Sequence, residues 1–227
     1  MISVRQLHKT YHRGEEAIHA LRGIDLEIEK GEFVVILGPS GGGKSTLLNM
    51  LGGIDRPTSG AVTINGFELE KASEEALTLF RRDHVGFIFQ FYNLISALNA
   101  VENASLPLMA RGLAYKQARQ RAAAILQRVG LEQRLEHLPA ELSGGEQQRV
   151  AIARSIICEP DLVLADEPTG DLDSVSAHEV TSLMHELNAE LGITFVVATH
   201  NLALTEKASR VFELLDGQLH QKTNGKD

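Results

Sequence analysis

The run Gly38-Pro39-Ser40-Gly41-Gly42-Gly43-Lys44-Ser45-Thr46 has the residue types of a phosphate cradle. Gly38, Gly41 and Gly43 let the backbone wrap closely around an anion, where a Cβ would obstruct it. At the Lys44 end, exposed N–H groups and a helix dipole favour negative charge. Lys44 is placed to reach the β- and γ-phosphates of a nucleotide, and the Ser45 hydroxyl to ligate Mg²⁺. A second run, Asp161-Leu162-Val163-Leu164-Ala165-Asp166-Glu167, brings carboxylates out at the end of an apolar stretch. Asp166 suits a water-mediated contact to the same Mg²⁺. Glu167 suits a general base aimed at an attacking water. A third run, Leu142-Ser143-Gly144-Gly145-Glu146-Gln147-Gln148-Arg149, fits a helix start in which Ser143 and Glu146 form a capping box. The box accounts for Ser143 and Glu146 but leaves Gly144 and Gly145 over, and these bare the backbone at a second anion-attracting helix end. One chain cannot easily bring both anion sites to one γ-phosphate. Two chains head to tail can, with Ser143 to Glu146 of one closing over Lys44 of the other.

Each run needs an element behind it. Phe33-Val34-Val35-Ile36-Leu37 reads as a buried parallel strand, and Leu47 to Leu51 as a helix. The cradle therefore lies between strand and helix, the context that the P-loop pattern requires. A flexible glycine turn, or a solvated acidic pair, would explain either run by itself. Strand, spacing, Lys and Ser together favour a nucleotide site. Ala61 to Ile64 reads as a strand before the turn pair Asn65-Gly66. From about 91 to 150 the pattern turns helical: Ala114 to Val129 is charged and alanine-rich, and Leu131 to Leu138 continues after the Gly130 stop. Val180, Leu183, Met184, Leu187 and Leu191 fall at helical spacing before Gly192 and read as core.

The whole pattern resembles the ATP-binding subunit of an ABC transporter over nearly all 227 residues. The resemblance implies an α/β P-loop NTPase with a RecA-like core sheet, N-terminal antiparallel strands and an inserted helical subdomain. It implies one ABC ATP-binding domain over 1–227, with 1–90 and 155–227 as catalytic core and about 91–154 as the helical subdomain carrying the signature loop. Tyr11 matches the aromatic that stacks on adenine, although an edge-strand tyrosine would look the same. Gln90 matches the glutamine that senses Mg²⁺ and the attacking water. Asp173 matches a loop crossing the dimer interface and also fits an N-cap. His200 matches the histidine that contacts the γ-phosphate; at a strand end alone it would mean little. Pro39, Ser40, Gly42 and Thr46 complete the nucleotide-binding loop. Two departures stand out: Glu146 where many relatives have Gln, and Gly42 where Ser is common. The apolar stretch from Phe91 to Leu98 matches a groove for a membrane subunit, with Phe91, Leu94 and Leu98 as its residues, although an internal core segment would read the same. The longer context resembles the branch of lipoprotein-releasing and macrolide-exporting systems, mechanical pumps whose membrane subunits carry large extracytoplasmic domains. The implied ligands are ATP and Mg²⁺. The implied partners are a second copy and integral membrane transport subunits. The implied location is the cytoplasmic side, peripheral on the inner membrane.

Composition narrows the alternatives. No apolar run approaches the length of a membrane span. No charged-then-apolar leader opens the chain, so a cytoplasmic location is expected. The net charge of −8 argues against broad phosphate-backbone affinity, and no nucleic-acid partner is expected. Arg81-Arg82 is a candidate for a local basic patch, although two arginines more often read as solvated helix surface. The single cysteine, Cys158, excludes an internal disulfide and reads as a small core residue. His178 and His185 share a helix but lack a third ligand. No Asn-Lys-x-Asp run supports a GTPase, and a small-molecule kinase needs no second glycine loop. Soluble ABC-type ATPases of nucleic acid or cluster assembly share the motifs; the former usually carry a coiled coil or zinc insert, absent here. The tail from Gln221 to Asp227 is polar and expected to be mobile.

Overall fold

The computed structural model describes residues 1–14 and 16–222. In chain order the elements are β1 (Ile2–Arg13), β2 (Glu16–Ile28), β3 (Phe33–Leu37), α1 (Lys44–Leu51), β4 (Ser59–Ile64), β5 (Phe67–Glu68), α2 (Glu74–His84) and β6 (Val85–Ile88). They continue with α3 (Ala100–Ala110), α4 (Tyr115–Arg128), α5 (Gly144–Ile156), β7 (Leu162–Asp166), α6 (Ser174–Leu191), β8 (Thr194–Thr199), β9 (Arg210–Leu215) and β10 (Gln218–Lys222).

Two sheets form. An antiparallel sheet has the order β2-β1-β4-β5, its β4–β5 hairpin turning at Asn65 and Gly66, both at positive φ. The six-stranded sheet has the order β10-β9-β3-β8-β7-β6, parallel except for β10. All five residues of β3 are buried, as a central parallel strand covered on both faces must be. Their alternation splits them between layers. Val34 and Ile36 join α1 and the antiparallel sheet in one core. Phe33, Val35 and Leu37 face α5 and α6 in another. Register then sets the site: Leu37 pairs with Thr199, and Asp166 with Ala198. The carboxyl ends of β3, β8 and β7 therefore open side by side, where open α/β sheets hold ligands.

A third cluster lies among α3, α4 and α5, built on Ala104, Leu108, Ala118, Leu126, Val150 and Ala153. Helix α5 serves both layers, because Ile152 and Ile156 belong to the second core. Helix α6 follows the periodicity read for it, with Val180, Met184 and Leu187 buried and Gly192 closing it at φ +64.

Several readings need correction. The segment to residue 90 also contains helix α2, capped by Ser73 and burying only Leu77 and Phe80. Helix α3 carries Pro107 in its interior, which forfeits one helical bond. It is secured instead by a capping box between Asn99 and Glu102. Leu131 to Leu138 forms no helix but turns closed by Arg134 N–H to Leu131 and His137 N–H to Arg134. Of the two arginines read as solvated helix surface, Arg82 is exposed and pairs with Asp83, whereas Arg81 donates to the Gly53 carbonyl at 2.6 Å. Gln221 and Lys222 lie in β10, and the rest of the tail lies outside the described residues. No helix among the described residues is long and apolar enough to cross a membrane.

Candidate nucleotide site

A cleft of about 560 Å³ opens at the carboxyl end of β3, lined by the run from Ser40 to Thr46 with Tyr11, Gln90, Asp166 and Glu167. Helix α1 begins at Lys44 without a side-chain cap and with no acidic residue in its first turn. Its leading N–H groups are thus left to an anion. The loop is tight against the sheet. Gly43 sits at φ +98 with the Ala20 carbonyl 2.6 Å from where a Cβ would stand, and a Cβ on Gly38 would run into the Leu214 carbonyl. Lys44, 6% exposed, donates to the carbonyls of Gly38 at 2.8 Å and Pro39 at 3.1 Å. Its ammonium also stands 3.3 Å from Glu167 Oε1.

The two carboxylates are pushed apart electrically. Burial raises the Asp166 pKa, against a hydrogen bond from Ser45. For Glu167, burial raises and the hydrogen bonds from His200 and Thr199 lower, and the net shift is downward. Thr199 Oγ1 donates to Glu167 Oε2 at 3.0 Å and His200 N–H at 3.2 Å, with His200 Nδ1 3.0 Å away. Neighbours with divergent proton affinities can take different roles. Glu167 stays an anion that can accept a proton. Its backbone sits at φ +47, a conformation that L-residues other than Asn and Asp rarely adopt. A cation would find oxygen donors beside it: the Ser45 hydroxyl, the half-buried Asp166 carboxylate and Gln90 line the same cleft. Among the described residues no group of three or more His, Cys, Asp or Glu could hold a metal by itself.

The outlying residues are also placed. Tyr11 Oη donates to Asp55 at 2.9 Å, and the Lys9 ammonium lies 4.7 Å from the Tyr11 ring centre. Lys9 in turn bonds Asp55 at 2.8 Å. Gln90 Nε2 donates to Asp171 at 3.1 Å. Beyond it, Tyr92 and Asn93 both have positive φ, and their carbonyls accept from Arg154 at 2.7 and 2.6 Å. Asp173 caps α6 through the N–H groups of Val175 and Ser176.

The Ser143 loop differs from its sequence reading in two respects. The capping box is present, with Ser143 N–H on Glu146 Oε2 at 2.8 Å. The other Glu146 oxygen accepts from Arg134 Nε at 2.9 Å, so this carboxylate is engaged within its own chain. Gly144 and Gly145 also have packing reasons within their own chain: a Cβ would stand 2.8 Å from Tyr92 Oη at the first and 3.2 Å from Ser176 at the second. None of the four lines the cleft of its own chain. The partner-groove residues divide as well. Phe91 is 72% exposed, Leu94 packs on the third cluster, and Leu98 is half-buried. The nearby concavity is lined instead by Phe87, Phe89, Asn93, Pro107 and Arg154. Thr199, Lys9 and Asp55 went unnoticed in the sequence. Thr199 adjoins His200, and Lys9 shares a strand face with Tyr11 at i, i+2, a spacing that could have flagged it.

Comparison with known proteins agrees with this geometry. The pattern of the family described as ABC transporter matches residues 21–170. The lipoprotein-releasing system ATP-binding protein LolD of Legionella pneumophila (strain Paris) is 44% identical over 222 residues, 98% of each chain. That of Pseudomonas fluorescens is 48% identical over 219 residues, 96% of each. The solved ATP-binding cassette MJ0796, dimeric in a post-hydrolysis state with ADP and Pi, superposes with TM-score 0.91 at 42% identity over 98% of each chain. With a phosphate-binding loop, a paired carboxylate site and near full-length relatives in one group, the chain belongs to the ABC transporter family, as one of its ATP-hydrolysing cassettes.

Proposed function

We propose that two copies of this chain close head to tail on two ATP molecules and drive a membrane complex that releases lipoproteins. The observation that carries the cargo is full-length similarity to LolD proteins at 44–48% identity. The dimer is supported by the dimeric MJ0796 cassettes and by the separation of the Ser143 loop from its own cleft. In this reading the run from Gly38 to Thr46 holds the phosphates and Tyr11 stacks on adenine. Ser45, Asp166 and Gln90 hold Mg²⁺, which neutralises phosphate charge when bound. Glu167 takes the proton of the attacking water, and Thr199 and the His200 N–H fix its orientation. Ser143, Gly144 and Gly145 close over the partner copy's phosphates, while Glu146 holds their helix start together. Asp173 lies at the interface. Nucleotide favours closure because only the closed pair supplies contacts from both chains. The chain sits on the cytoplasmic face of the inner membrane, held by membrane subunits with extracytoplasmic domains that dock at Phe91 and the adjoining concavity.

The test is affinity capture of the tagged chain from detergent-solubilised membranes, followed by ATP-dependent release of a lipoprotein from vesicles holding the captured complex. Capture of a few-helix membrane protein together with release supports the reading. Recovery of soluble or nucleic-acid-bound proteins alone overturns the transport role and leaves the ATPase.

Tyr11 gives a second expectation. Tyr11→Ala weakens ATP binding by roughly ten-fold or more, the worth of one aromatic–base stack. Tyr11→Phe loses only the Asp55 bond and changes affinity by about threefold or less. Titration with ATP distinguishes them; equal losses would show that the hydroxyl, not the ring face, matters.

A further inference from the structure

Gln148 lies inside the second turn of α5, the helix that starts at the Ser143 loop. Its side chain is completely buried. Nε2 donates to the Pro168 carbonyl at 2.6 Å. Oε1 is enclosed without a hydrogen-bond partner among the described residues. An enclosed acceptor carries a desolvation cost that an apolar side chain of similar length would not. What the amide supplies against that cost is the donor to Pro168.

That donor is well placed to control the turn at Glu167. Pro168 has no N–H and a fixed φ. Its carbonyl is the only backbone polar group by which it can be anchored, and ψ the only torsion left to set. Directly before it, Glu167 is held at φ +47. The Glu167 N–H bonds the Ala198 carbonyl at 2.8 Å, and its own carbonyl accepts from Gly170 N–H at 3.0 Å. Three anchors therefore hold this turn: one from β8, one from the following loop, and one from α5 through Gln148. The same helix grips the segment beyond Gln90 through Arg154.

We propose that Gln148 is a positioning residue for ATP hydrolysis: through the Pro168 carbonyl it holds the strained turn that aims Glu167, and it ties that turn to the helix that begins at the Ser143 loop. The proposal rests on Glu167 as general base. A shift of α5 when its N-terminus meets the partner copy's nucleotide reaches Glu167 through this side chain.

Steady-state kinetics of the full-length chain with Mg-ATP test it. Gln148→Met keeps length and removes the donor, so kcat falls on the order of ten-fold or more from misplacement of the base. KM for ATP stays within about twofold, since the phosphate loop is untouched. Gln148→Asn, too short to span the gap, reproduces the loss and serves if the Met variant folds poorly by circular dichroism. The deciding readout is the double variant. In a Glu167→Gln background Gln148→Met adds nothing, because it acts only through the carboxylate. A kcat within about twofold of the parent, or a loss that simply adds to that of Glu167→Gln, overturns the tie. If Glu167→Gln itself costs nothing, the base assignment fails and the proposal falls with it.

Discussion

Replacing Glu167 by Gln lowers steady-state ATP hydrolysis by roughly 10²- to 10⁴-fold, the usual contribution of a positioned general base, while ATP still binds. The substitution is nearly isosteric. A glutamine oxygen can still accept from Thr199 Oγ1 and the His200 N–H, which hold the carboxylate at 3.0 and 3.2 Å. The turn at φ +47 keeps its backbone bonds to Ala198 and Gly170. What disappears is the charge, and with it the affinity for a proton. The Lys44 ammonium, 3.3 Å from this carboxylate, loses one competitor for a phosphate. Binding is therefore retained or tightened, and the closed pair persists because the step that dissolves it is blocked. Size-exclusion chromatography with and without ATP reads the second effect, and phosphate release reads the first. A variant that turns over at a near-normal rate would place the base elsewhere.

The features legible in the sequence share one property: their causes are local. The apolar run Phe33–Leu37 is a buried strand because both faces of a central parallel strand are covered. The Asn65-Gly66 turn, the Ser143 box and the Gly192 stop each follow from side chains within a few residues. Helix α3 falls in the stretch from about 91 to 150 that reads as helical, but its bounds are not legible, because Pro107 sits inside it and packing on α4 and α5 holds it. Helix α2 was hidden because it buries only two apolar residues. In the site, the phosphate loop, Asp166, Glu167 and His200 converge because β3, β8 and β7 end in register, a consequence of strand order that no single motif contains. Gly144 and Gly145 were read as bared backbone for an anion. Their close approach to Tyr92 and Ser176, in segments about thirty to fifty residues away in sequence, adds a packing reason for glycine that no local pattern contains. Leu94 shows the same limit: an apolar residue in an apolar stretch reads as a docking surface or as core, and Leu94 is partly buried against the third cluster.

Lys44→Ala produces the opposite kinetic pattern: ATP binding itself weakens, by roughly thirty-fold to several thousand-fold if one partner of a buried charged contact is worth about 2–5 kcal/mol. Lys44 is nearly the only charge enclosed by the loop, and its ammonium meets two carbonyls and a carboxylate at once. Its removal takes away the ammonium that the Gly38 and Pro39 carbonyls accept from, and with it the only charged side chain of the loop. The Glu167 carboxylate then loses its cation and faces that phosphate as a like charge, although Thr199 and His200 still hold it. Lys44→Arg keeps the charge and separates charge from shape. A planar fork cannot place one nitrogen against both carbonyls as a rotating ammonium does, and Lys44, 6% exposed, meets both at once. Arginine is therefore expected to recover only part of the affinity. Calorimetric titration with ATP separates the three chains. If the alanine variant binds ATP within about threefold of the parent, a difference worth less than 1 kcal/mol, then the helix N-terminus alone holds the phosphates and Lys44 serves only to brace its own loop.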